Sequence, residues 1–255
     1  MNRKEDSVAD LFGHTRSRVT LQHALITPDT HVWAPLPTWR GATAAVHISP
    51  PMGARFSQAN VTLEVGGLSG GAGEGIERFV WVRSGKVSLR LPGGKSHELS
   101  PEMFAYLPPD KPHEIKAIEA ANLVVFEKRY QPTNVAEQPS AVVGSAADVA
   151  GEPFMEDERK RLQTLLPTDE RFDMAVNVFT YQPGAMLPQV EIHVMEHGLV
   201  MLDGMGVYRL GDDWYPVEEG DVIWMASYCP QWFVAMGGTP ARYLYYKDVN
   251  RGPLG

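Results

Sequence analysis

The sequence predicts an all-β chain made of two similar tandem β units, of sandwich or barrel architecture, and three observations carry that expectation. First, 24 glycines and 20 prolines punctuate short segments rich in Val, Leu, Phe and Tyr, the pattern of many short strands joined by tight turns. Second, three segments recur in the same order at a nearly constant offset. "ERFVWVRSGKVSLRL" (77–91) parallels "HGLVMLDGMGVYRL" (197–210), "SPEMFAYLPPDKPHEI" (100–115) parallels "EEGDVIWMASYCPQWF" (218–233), and "NLVVFEKRY" (122–130) parallels "RYLYYKDVN" (242–250). Third, residues 133–153, "TNVAEQPSAVVGSAADVAGEP", are poor in large apolar groups and read as a linker between the two halves.

In chain order this gives an N-terminal arm over 1–40 and a first β unit over 41–132. A linker follows over 133–168, and a second β unit over 169–255. Within the linker, "FMEDERKRLQTLLP" (154–167) predicts one short helix ending before Pro167. In the third pair of segments Lys128 is set against Lys247.

The charge balance, 23 basic against 31 acidic residues for a net of −8, has no basic cluster, which argues against nucleic acid or an anionic membrane as partner. No run of eighteen apolar residues occurs and the first eighteen residues hold no apolar core, so the expectation is a soluble, cytoplasmic protein. The single cysteine, Cys229, excludes an internal disulfide and reads as a small buried side chain.

The stretch "VEIHVMEHG" (190–198) places Glu191, His193 and His197 at i, i+2 and i+6. If the chain is extended there, residues of equal parity share one face, and the three groups form either a metal site or a polar solvent face. The pattern resembles the cupin superfamily, whose jelly-roll barrels hold a metal in their mouth. The resemblance matches Gly204 to the motif glycine and implies a fourth ligand at Gln231, after Pro230. Two imidazoles, a carboxylate and an amide form a sulfur-free set suited to Mn(II), Fe(II), Ni(II) or Zn(II), with the oxygen share leaning towards Mn(II). Counting back through the duplication, the first unit offers only Ala72, Glu74, Arg78 and His113. An arginine in place of a ligand predicts a metal-free first barrel and one metal per chain.

The arrangement E-x-H-x-x-x-H with a later Gln resembles one bicupin family, (S)-ureidoglycine aminohydrolase of allantoin (purine) breakdown. Further segments that look like that family are "GEGIERFVWVRSGKV" (73–87), "EKRYQP" (127–132), "GVYRLGDDWYPVEEGDVIWM" (206–225) and "YYKDVNR" (245–251). The resemblance implies a Mn(II)-dependent hydrolase that turns (S)-ureidoglycine and water into (S)-ureidoglycolate and ammonia. It also implies substrate contacts at Glu191, Gln231, Tyr243 and Lys247, with Tyr208 as a weaker candidate and Tyr215 weaker still. Glu191 and Lys247 are the expected catalytic pair, Glu191 shuttling a proton and Lys247 pairing with the substrate carboxylate. Tyr243, Tyr245 and Lys247 have equal parity and share a face if they lie on one strand. A homo-oligomer is expected. The alternatives are another metal-dependent bicupin reaction on a small acid (dioxygenase, isomerase or decarboxylase), or a non-catalytic binding protein.

Overall fold

Strands with both faces buried dominate this protein, and they sort its side chains into three cores. The computed structural model describes residues 14–134 and 137–252. In the first half, Ile76–Ser84 sends Val80 and Val82 into one apolar cluster and Phe79 and Trp81 into another. Its counterpart His197–Asp203 does the same, with Leu199 and Met201 on one side and Val200 and Leu202 on the other. Alternation along each strand produces this split. One cluster fills each barrel, and the third, formed by residues of both halves, glues the barrels together. This bears out the all-β expectation of two similar units.

The first unit is a ten-stranded antiparallel sheet. The second combines an eight-stranded sheet with a three-stranded one made of Asp213–Glu218, Met205–Leu210 and Gln231–Met236. The duplicated turn is visible at its glycines. Gly85 and Gly204 have φ of 76° and 74°, and a Cβ there would stand 2.0 Å from the Ala120 carbonyl oxygen and 2.4 Å from that of Pro240. Only glycine fits such a left-handed, crowded turn.

Three features differ from the sequence reading. The expected helix over 154–167 is a β-hairpin, Glu152–Phe154 against Asp157–Thr164, turning through Met155 and Glu156 at φ of 50° and 61°. Among the described residues the only helical piece of the linker is the 3₁₀ turn Ala146–Asp148. The two units also exchange strands: His23–Ile26 of the arm pairs with Val222–Met225 of the second unit, and Val142–Ser145 of the linker pairs with Met103–Leu107 of the first. Residues 1–13 of the expected arm lie outside the described residues. Among those described, no helix is long and apolar enough to cross a membrane.

The third difference concerns register. Arg78 faces Glu127 across the ladder, whereas His197 faces Lys247. The counterpart of Lys247 is therefore Glu127, and Lys128 points into the core between the barrels. There it is buried, bonded to the Asp173 carboxylate and 3.8 Å from Glu77, which in turn accepts from the Tyr106 hydroxyl at 2.5 Å. Lys128 is a structural cation, so it gives no reason to read Lys247 as a solvated edge lysine.

Candidate metal centre

The ligand-bearing stretch is not one strand. Glu191 makes an isolated antiparallel bridge with Gln231, its amide donating to the Gln231 carbonyl at 2.8 Å and its carbonyl accepting at 3.0 Å. His193 lies in the irregular turn that follows, pinned where the Tyr228 amide donates to its carbonyl at 2.7 Å. His197 opens the strand His197–Asp203. A bridge, a turn and a strand end thus carry the three side chains, and the single extended strand that the shared-face argument supposed is not there.

At the centre, the Nε2 atoms of His193 and His197 lie 3.1 Å apart, and the Gln231 side-chain amide is 2.7 Å from His193 Nε2. His193 Nδ1 donates to the Met195 carbonyl at 3.1 Å, which turns its Nε2 towards His197 and Gln231. The His197 ring is tied to the backbone at Tyr246, and burial holds its pKa well below the ordinary imidazole value, so it stays neutral. Two imidazole nitrogens aimed at one point, with an amide beside them, are the kind of donor set a divalent cation takes. Glu191 lines the same cavity but stands apart from the imidazole pair. Among the described residues, no three His, Cys, Asp or Glu side chains meet at coordinating distance.

These groups share a cavity of about 150 Å³ with Lys247, Tyr208, Tyr243, Tyr245, Phe154 and Phe179. Burial raises the Glu191 carboxyl, opposed first by His193 and then by Lys247. Lys247 is shifted down by burial, with Glu191 pulling the other way. The two line one small chamber, and each charge acts on the other. Tyr243 and Tyr208 are buried phenols whose pKa values are pushed up by desolvation, so both are proton carriers and not anions. Tyr243 shares a hydrogen bond of 3.0 Å with Tyr181. Tyr215 faces away from the cavity and bonds His23 at 2.9 Å. Cys229 is buried with its thiol shifted up, which leaves it inert.

The sequence reading missed Tyr181, Phe154 and Lys160. Tyr181 was readable in principle, since it ends an alternating strand, Met174–Tyr181. Phe154 and Lys160 come from the hairpin that was expected as a helix; the Lys160 ammonium sits 5.9 Å from the centre of the Phe154 ring. A larger cavity of about 740 Å³ opens beside the first barrel near Pro108, Pro112 and His113. In that barrel Arg78 fills the place of the ligands. It donates to Glu127 at 2.7 Å, to the Gly70 carbonyl at 2.9 Å, lies 3.0 Å from His113 Nε2 and stacks over Trp39.

A duplicated β-barrel with an imidazole-lined mouth defines a bicupin, and the family model described as "Cupin domain" matches residues 177–246. The chain belongs to the (S)-ureidoglycine aminohydrolase family. It is 42% identical to the (S)-ureidoglycine aminohydrolase of Arabidopsis thaliana over 96% of this chain and 82% of that protein. It is 33% identical to the enzyme of the same name from Escherichia coli, over 92% of each. The crystal structure of the E. coli protein Ylba superposes with a TM-score of 0.82 at 33% identity, covering 96% of this chain and 98% of that one.

Proposed function

We propose that the chain hydrolyses (S)-ureidoglycine to (S)-ureidoglycolate and ammonia, with one divalent ion, Mn(II) foremost, held in the second barrel by Glu191, His193, His197 and Gln231. The observation that carries this reading is the convergence of two imidazole nitrogens and the Gln231 amide in a small chamber that Lys247 also lines. Such an ion, when bound, supplies Lewis-acid polarisation of the substrate.

The chain's own residues do the rest. Lys247 pairs its ammonium with the substrate carboxylate and so fixes which face of the stereocentre meets Glu191. Glu191, with its carboxyl raised by burial, takes a proton from the incoming water or delivers one to the departing amine. Its separation from the imidazole pair suits that second duty. Tyr243 and Tyr208 hold neutral hydroxyls against the ureido end, and the surrounding rings exclude bulk water. The chamber admits a small polar acid and no polymer.

The test is ammonia release from freshly generated ureidoglycine by chelated protein to which Mn(II) is returned, with dissolved oxygen followed in parallel. Hydrolysis predicts manganese-dependent ammonia with no oxygen uptake. Oxygen consumption, or equal ammonia release by the chelated protein, overturns the reading.

A further inference from the structure

We propose that Arg55 of the first barrel is a positioning residue for the centre in the second, clamping the residues that flank His197 and Lys247. This inference rests on the metal reading above. His197 and Lys247 face each other across the ladder. Directly outside that pair stand Glu196, the residue before the strand His197–Asp203, and Asp248, the last residue of Ala241–Asp248, and both are buried. The Glu196 amide donates to Asp248 Oδ1 at 2.5 Å, closing the ladder just beyond the ligand. Arg55 reaches both carboxylates: its Nη2 donates to Asp248 Oδ2 at 2.6 Å, its Nε to Glu196 Oε2 at 3.4 Å, and its backbone amide to the same carboxylate at 3.0 Å. Trp224 Nε1 donates to the other Glu196 oxygen at 2.8 Å. Two buried carboxylates so close together repel, and one guanidinium with fixed fork geometry holds them in a single arrangement.

The next residues of the same segment brace the strand itself. The Phe56 ring stacks on Tyr246 at 4.1 Å between centroids. It also lies against Gly198, where a Cβ would stand 2.4 Å from the ring. Gln58 Nε2 donates to the Leu199 carbonyl at 3.2 Å. Arg55, Phe56 and Gln58 therefore fasten the stretch 196–199 that starts with the ligand strand, and position 198 must be glycine for the two to meet. The first barrel, whose own mouth is plugged by Arg78, acts on the reaction by holding the second barrel's ligand and its lysine in register. Groups that orient ligands from behind are worth about 10- to 100-fold in metal affinity.

The experiment compares Arg55→Met, Arg55→Lys and Asp248→Asn with Arg83→Met. Arg83 also bridges the barrels, to the Leu202 carbonyl and Glu219 at 3.3 and 3.2 Å, but away from the ligand pair. Mn(II) affinity is read from the electron paramagnetic resonance of the free aqua ion, alongside melting temperature, kcat and KM. Arg55→Met is expected to weaken Mn(II) binding about 10- to 100-fold and to lower kcat. Arg55→Lys should recover part of the affinity, Asp248→Asn should lose some of it, and Arg83→Met should lower only the melting temperature. Should Arg55→Met fail to fold, Arg55→Lys and Asp248→Asn carry the same readout. A wild-type chain that binds manganese beside Arg55 variants that bind it equally well overturns the clamp alone. A wild-type chain that takes up no divalent ion overturns the metal reading and the clamp with it.

Discussion

Each residue at the centre differs in how much it loses when truncated. His193 and His197 contribute the two convergent nitrogens, so His193→Ala or His197→Ala is expected to lose most bound metal and nearly all activity, as measured by elemental analysis and ammonia release. Glu191→Ala should match them in activity, since it removes both the proposed carboxylate ligand and the proton carrier. Gln231→Ala should be milder for metal content, because a neutral amide binds weakly and water replaces it; a Gln231→Ala chain emptier than His193→Ala would reverse this ranking. Lys247→Met keeps the apolar stem and removes only the charge. Metal content should stay intact while KM rises or kcat/KM falls by about 10-fold or more, the scale of a lost charge-assisted bond. The spacing of Glu191, His193 and His197 was legible because parity is printed in the numbering. The role of Lys128 was not, because a one-residue register shift turns a side chain to the other face, and only the pairing of Arg78 with Glu127 shows that shift.

Among the elements, the hairpin Glu152–Phe154 and Asp157–Thr164 shows why a sequence can be misread. Its inward position is Lys160, buried with its ammonium near the Phe154 ring and 3.5 Å from Asp157. A lysine where alternation would put an apolar residue erases the period-two signal, and the charged string then looks like a helix. Phe154 walls the chamber and meets Phe179 edge-on at 4.9 Å. Phe154→Ala is expected to cost about 1–2 kcal/mol, less than the 3–5 of a fully buried ring, because Phe154 is only half-buried. Melting curves measure that cost. The same change should raise KM more than it lowers kcat, since it opens the wall and leaves the imidazoles and Lys247 in place. An unchanged KM would remove the hairpin from the substrate chamber. The strand exchanges were equally hidden: His23–Ile26 lies in what reads as an arm and Val142–Ser145 in what reads as a linker, and nothing local says which sheet they join.

On the scale of the whole molecule, the duplication yields one fold twice and one proposed centre once. The repeat was legible because turn glycines and alternating apolar runs recur with the fold itself. The strand register makes the divergence explicit: where the second barrel sets His197 against Lys247, the first sets Arg78 against Glu127. Arg78 is 2% exposed and its charge is answered by Glu127, by the Gly70 carbonyl and by the Trp39 ring. The first mouth is thus filled by a neutralised pair, and a divalent ion entering it would meet a fixed cation at contact distance. His113 is the one imidazole at the equivalent positions, and the Glu127 carboxylate is engaged by Arg78; burial and then Arg78 push the His113 pKa down, so its ring is neutral. One imidazole binds a divalent ion too weakly to retain it. One metal per chain is therefore expected. His113→Ala should leave metal content unchanged, and any fall in activity should follow a fall in melting temperature, because the imidazole braces Arg78 and not the centre. Two metals per chain by elemental analysis would refute this asymmetry, and so would a folded, fully metallated His113→Ala protein without activity.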